Sequence, residues 1–153
     1  MAARVVTLEE LQRLTGQEIG ITDWLMIDQH RIDAFADATG DRQWIHVDRE
    51  RAKTDSKYGR TIAHGFLTLS LLSRLSSEAV EVRGDFAMRI NYGLNRVRFP
   101  APVPEGSRIR ARLTLQELKE FDGGHQIVWL ITVDVEGSDK PALVAEWVIR
   151  LYR

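Results

Sequence analysis

The sequence predicts an α+β fold in which an antiparallel sheet curls around one buried helix. Three observations carry that expectation. Residues 61–78, TIAHGFLTLSLLSRLSSE, place leucine or phenylalanine at 66, 67, 69, 71, 72 and 75. Those positions cover most of a helix circumference, so this helix is expected to be buried on several sides. After residue 85 the apolar period becomes two, the signature of half-buried strands. The turn signals PVPEG, FDGGH and EGSDKP separate the alternating runs. A helix that is apolar nearly all round needs cover, and a sheet folded around it supplies that cover.

The elements follow in order. Thr7-Leu-Glu-Glu10 reads as a capping box, with Leu8, Leu11 and Leu14 on one stripe and Gly16 ending the first short helix. Residues 21–27, ITDWLMI, read as extended. Asp28 is placed as an N-cap, and Ile32, Phe35, Ala36 and Thr39 follow at helical spacing. Gly40 sits where a left-handed residue closes a helix, so helix is predicted over 29–39. A short helix is expected after Asp48, over 49–54, and the central helix over 61–78. Residues 86–99 supply a strand. Ile109, Ala111, Leu113 and Leu115 alternate with polar residues, as do Ile127, Trp129, Ile131, Val133 and Val135, then Leu143, Ala145, Trp147, Ile149 and Leu151. The second half therefore reads as an antiparallel meander of about four strands.

The 153 residues fit one domain, long enough to bury a core without disulfides. The net charge of −1 offers no bulk positive field for nucleic acid. The absence of cysteine removes disulfides, thiol nucleophiles and thiolate metal sites. MAARVVTLEELQRLTG lacks the apolar run of a signal peptide. The most apolar segment, near 62–75, is broken by His64, Thr68, Ser70, Ser73 and Arg74, too short and polar for a bilayer span. A cytoplasmic enzyme or binding domain is expected, without membrane insertion. The tryptophans 24, 44, 129 and 147 fall mostly on strand patterns and read as core. Arg96 and Arg98 share one strand face, read as solvated.

The stretch GDRQWIH, residues 40–46, places a carboxylate five residues before an imidazole. On a continuous helix Asp41 and His46 would diverge by about 140°. Because Gly40 ends the helix, the loop can fold both side chains to one point, where a carboxylate and an imidazole handle a proton. The same residues also read as a turn aspartate and a histidine packed between Ile45 and Val47, and spacing leaves both readings open. Ala63-His64-Gly65 opens the central helix. A glycine there leaves its first-turn amide approachable, and such an amide can bind an oxygen that becomes negative during reaction. Close packing at Gly65, with His64 capping or packing, is the competing reading. His46, His64, Asp41 and Asp48 match no metal-ligand spacing, and no HExxH, GxSxG, GxGxxG or Walker sequence occurs.

FADATGDRQWIHVD followed by TIAHGFLTLSLLSRL resembles the MaoC-like dehydratase family, which includes (R)-specific enoyl-CoA hydratases. NYGLNRVRFPAPVPEGSRIRA resembles its NodN-type branch. The resemblance runs over roughly residues 8–152. It implies the hotdog fold, an antiparallel sheet around a central helix, and a homodimer. It carries the catalytic pair onto Asp41 and His46, and the amide that binds the thioester oxygen onto Gly65. Gln43, His64 and Asn95 stand as further candidates for binding substrate. The family motif usually has Asn and then Pro where this chain has Gln43 and Trp44.

The activity implied is reversible hydration of a trans-2-enoyl thioester to an (R)-3-hydroxyacyl thioester, carried on coenzyme A or acyl-carrier protein. No metal and no redox cofactor is expected. Two alternatives stand beside it. One is a hotdog thioesterase, which usually carries a carboxylate on the central helix. After Gly65 that helix has no acidic residue until Glu78. The other is a non-catalytic protein that binds acyl thioesters or lipids on the same scaffold.

Overall fold

A computed structural model describes residues 1–153. In chain order the elements are β1 (Arg4–Thr7), α1 (Leu8–Arg13), β2 (Glu18–Ile21), β3 (Leu25–Ile27), α2 (Gln29–Thr39), α3 (Trp44–Val47) and α4 (Arg49–Asp55). They continue with α5 (Gly65–Ser70), α6 (Leu72–Ala79), β4 (Val80–Arg83), β5 (Met88–Arg98), β6 (Ser107–Phe121), β7 (Gly124–Val135) and β8 (Leu143–Tyr152).

Local chemistry sets the helix ends as the sequence predicts. Thr7 Oγ1 accepts from the Glu10 amide at 3.2 Å, and Glu10 Oε2 accepts from the Thr7 amide at 2.8 Å, completing the capping box of α1. Asp28 caps α2 by accepting from the Arg31 amide at 2.9 Å. Gly40 closes α2 with φ +79°, a left-handed conformation that glycine adopts without a Cβ penalty. The short helix expected after Asp48 runs through Asp55, one residue beyond the predicted end.

The main sheet runs β2-β6-β7-β8-β5, with β3 also paired to β6, and all these pairs are antiparallel. The inward residues predicted from alternation are buried: Ile109 through Leu115 on β6, Ile127 through Val135 on β7, Leu143 through Leu151 on β8. They join Leu67, Leu71, Leu72 and Leu75 of the central helix in one cluster of 28 residues. The sheet therefore wraps the helix, in the hotdog arrangement. Truncating fully buried Leu75 to alanine would cost about 2–5 kcal/mol, from lost transfer energy and the cavity left behind.

Three expectations are corrected. The strands do not form a simple meander. Only β6, β7 and β8 do, while β5 crosses over and pairs with β8 at the far edge. Alternation fixes which face of a strand is buried, not which strand lies beside it. The central helix does not begin at residue 61. Residues 61–64 are extended, held by an Ile62–Pro104 bridge and by Ala63 N–H donating to the Val103 carbonyl at 2.8 Å. The helix starts at Gly65 and is interrupted at Leu71 between α5 and α6. Nor is it buried all round, because Phe66 is 68% exposed. A small parallel pair, β1 with β4, lies outside the main sheet and has no counterpart in the sequence reading. No helix is long and apolar enough to cross a membrane.

Candidate active site

Three segments meet at one end of the central helix: the loop after α2, the turn α3, and the extended run 61–64 leading into α5. Gly40 reverses the chain, and the Gln43 amide then lies 3.4 Å from Asp41 Oδ1, an Asx-type turn. Asp41 is thus a turn residue, and the same turn leaves its carboxylate close to two histidines. Residues 44–47, read as loop, wind into one helical turn. Trp44 takes the first helical position, where the motif that the sequence resembles usually has proline, whose fixed φ suits it. The Arg51 guanidinium of α4 lies 4.2 Å from the centre of the Trp44 ring and packs it down.

That turn points His46 inward, where only 7% of it remains exposed. Its Nδ1 lies 2.7 Å from the carbonyl oxygen of Ile62. A carbonyl only accepts, so Nδ1 carries the hydrogen and Nε2 keeps a free lone pair. Burial lowers the pKa of His46 below its ordinary value, and neighbouring His64 lowers it further. The Ile62 bond and the Asp41 charge act in the opposite direction. Near neutral pH the ring is therefore an uncharged base. His64 is still more buried, 3% exposed, and its Nε2 donates to the backbone carbonyl of Asp41 at 2.9 Å. Its Nδ1 is buried without a partner. The imidazoles of His46 and His64 stack, and the Phe35 ring leans on the other side of His64 with centroids 4.9 Å apart.

One carboxylate oxygen of Asp41 and one ring nitrogen of each histidine lie within 4.8 Å of one another. The loop thus gathers Asp41 with His46, as Gly40 suggested. A carboxylate oxygen and an imidazole nitrogen no more than 4.8 Å apart can be bridged by a single water with two ordinary hydrogen bonds of about 2.8 Å. The same three groups are also a metal-ligand set by type. As placed, the two imidazoles cannot both ligate one ion, because a histidine ligand holds metal in its ring plane at about 2.0–2.1 Å. Two rings stacked at 3.8 Å and only 23° from parallel share no such point.

His46 and Gly65 line one cavity of about 310 Å³, together with Tyr58, Thr68 and Phe99. The Gly65 amide begins α5, so no intrahelical carbonyl accepts from it, and no loop carbonyl does either. A Cβ at Gly65 would meet carbons of the Phe99 ring at 3.1–3.2 Å, so glycine is also what lets Phe99 pack this close to the start of α5.

Asp41 is exposed and is not part of this cavity wall, and other predicted residues also stand apart from it. Gln43 is exposed, and its side chain makes no capping bond to α3. Asn95 is exposed on β5 and forms no part of the cavity wall. His64 also lies outside that wall; it backs the pair by holding Asp41 from below. The sequence reading missed Tyr58 and Phe99, which carry no periodic signal, and the carbonyl of Ile62, which fixes the His46 tautomer.

Residues 10–136 match the family model described as MaoC like domain. The chain is 50% identical over 145 residues to 3-hydroxyacyl-thioester dehydratase Z of Mycobacterium tuberculosis, covering 94% of this chain and 95% of that protein. It is 46% identical to nodulation protein N of Rhizobium leguminosarum, covering 94% and 89%. Among solved structures, the (R)-hydratase from A. caviae involved in PHA biosynthesis superposes with a TM-score of 0.68. The two share 25% identity over 90% of this chain and 96% of that one.

Proposed function

The chain belongs to the MaoC-like dehydratase family, and we propose that it is a hydro-lyase interconverting a trans-2-enoyl thioester and an (R)-3-hydroxyacyl thioester. The observations that support this reading are two pairings that share His46, one with Asp41, which is exposed and outside the cavity wall, and one with Gly65 across the cavity. A carboxylate and an uncharged imidazole lie within 4.8 Å, and that imidazole faces the same cavity as an unengaged helix-start amide.

Each group has a task. The Gly65 N–H donates to the thioester oxygen and stabilises the negative charge that builds there as water adds. Asp41 and the Nε2 of His46 hold one water between them. Its oxygen bonds to C3 while one of its protons passes to the pair, and the pair delivers a proton to C2. One water is added in total and no charge is left over. Because one pair serves both carbons, addition is syn. The carbonyl already activates the double bond, so neither metal nor redox cofactor is required. Coenzyme A and acyl-carrier protein both present such a thioester.

A homodimer fits the surface. β5 is an edge strand paired only with β8, and Met88, Ile90, Tyr92 and Leu94 on it are exposed apolar residues. An open apolar edge is relieved by pairing with a second copy.

The test is to mix the purified protein with crotonyl-CoA and follow enoyl absorbance and free thiol together. Loss of absorbance without thiol release is expected. Thiol release would indicate a thioesterase, although the first acid on the central helix, Glu78, is near its end and paired to Arg74 at 2.8 Å. No change with short or long chains would indicate a binding protein.

A further inference from the structure

Gln29 opens α2 and is 9% exposed, a primary amide buried where apolar residues usually sit. Both of its N–H donors and one of the two lone pairs on its oxygen are used. Its Nε2 donates to Asp33 Oδ1 at 2.8 Å and to the backbone carbonyl of His46 at 2.7 Å. Its Oε1 accepts from the Thr61 hydroxyl at 2.5 Å. The amide cannot be turned over, because the reverse orientation would set Oε1 against two acceptors.

The two segments bridged by this amide are the ones that must stay in register. His46 donates from Nδ1 to Ile62, the residue immediately after Thr61. Gly65 follows three residues later. The run is also bonded directly to α3, Ile62 N–H donating to the Ile45 carbonyl at 3.0 Å, and to the segment before β6, where Glu105 N–H donates to the Thr61 carbonyl at 2.9 Å. One side chain on α2 therefore holds the backbone that carries the imidazole and the backbone that carries both its Nδ1 acceptor and the oxyanion amide.

We propose that Gln29 is a positioning residue for the hydration step, a buried amide clamp that sets His46 against Ile62 and Gly65 and so keeps Nε2 as the free nitrogen facing the cavity. It touches no substrate. The inference rests on the proposed hydratase reading for its meaning, but its structural core, the tautomer of His46, is read without any substrate.

The test uses Gln29→Met, which keeps length and volume while removing the amide, together with Thr61→Val and the double variant. Long-range ¹H–¹⁵N NMR of the imidazoles reports which nitrogen of His46 carries hydrogen. In the unaltered chain the expected answer is Nδ1, and in Gln29→Met a mixture of both tautomers. With crotonyl-CoA, Gln29→Met should lower kcat about 30-fold with KM changed less than about twofold, as expected when geometry rather than binding is lost. Thr61→Val should lower kcat about fivefold, and the double variant should be no slower than Gln29→Met, since both cut one bridge. An Nδ1-only His46 in Gln29→Met, kcat within threefold of the unaltered chain, or losses that multiply in the double variant would each overturn the proposal. If Gln29→Met does not fold, Thr61→Val decides, and an unchanged kcat there overturns it. An unaltered chain that shows the expected tautomers but no hydration would count against the hydratase reading alone.

Discussion

The rings of His46 and His64 lie face to face, 3.8 Å between centroids and 23° from parallel. The stack divides labour between two histidines of similar burial. His46 presents a free Nε2 to the cavity, while His64 spends its Nε2–H on the Asp41 carbonyl. Replacing His64 with phenylalanine keeps a flat ring between Phe35 and His46 but removes that donor. Stability should change by no more than about 1 kcal/mol, because the lost bond ends on an exposed loop and a buried unpaired nitrogen is removed with it. Turnover should fall about tenfold as Asp41 loses its anchor. Urea unfolding and steady-state kinetics check the two halves, and turnover within twofold of normal would remove His64 from the positioning of Asp41.

The same stack makes a prediction about metals. No ion can lie in both ring planes at bonding distance, so dialysis against EDTA should leave kcat unchanged. Equilibrium dialysis with Zn²⁺ should find no stoichiometric site at these residues. One bound equivalent that disappears in His46→Gln would show that the rings part to admit an ion.

Burial depresses the pKa of His46, which fixes the sign of two pH effects. The base must be uncharged to work, so the acid limb of kcat/KM attributable to it should lie below the ordinary value of about 6.5. For stability, the unfolded chain takes up this proton first as pH falls. Between about 6.5 and the lower folded value the unfolded state therefore binds more protons, and stability drops as pH decreases through that window. Urea midpoints measured across it should slope less in His46→Gln than in the unaltered chain. An equal slope would assign the acid sensitivity to other groups.

Gly65 separates space from backbone strain. Its φ is not positive, so alanine is allowed there conformationally. The added methyl meets the Phe99 ring at 3.1–3.2 Å and stands beside the amide. Alanine's helix preference, up to about 1 kcal/mol, offsets part of the crowding. Gly65→Ala should fold with stability within about 1 kcal/mol of normal and lose about 100-fold in kcat/KM. Preserved kcat/KM would show that the Gly65 amide does not serve as the oxyanion donor.

How much of this was legible in the sequence depends on the range of the interaction. The left-handed residue at Gly40, the capping box at Thr7 and the inward face of each long strand are written within a few neighbouring residues, and all were readable. The meeting of Asp41 and His46 was only half readable: Gly40 lets the loop bring them together, but spacing left a plain turn aspartate and a packed histidine open as well, and only the family resemblance selected the pair. The partner of β5 was not readable, because pairing depends on residues some 50 positions apart, as between Leu94 and Trp147. The helix start at Gly65 was misplaced because residues 61–64 are drawn out by long-range bonds to Val103, Pro104 and Glu105. Gln29 gave no signal at all. A glutamine in a first helical turn normally faces water, and only the arrival of Thr61 and His46 makes it interior.

The most direct test of the central claim, that Asp41 and His46 act as one proton-handling pair, is the turnover of crotonyl-CoA by Asp41→Asn, His46→Gln and the two combined. Each single variant should fold and lose about 100-fold or more, and the combination should lose little beyond the worse single. Near-normal turnover in either single variant, or losses that multiply in the pair, would contradict it.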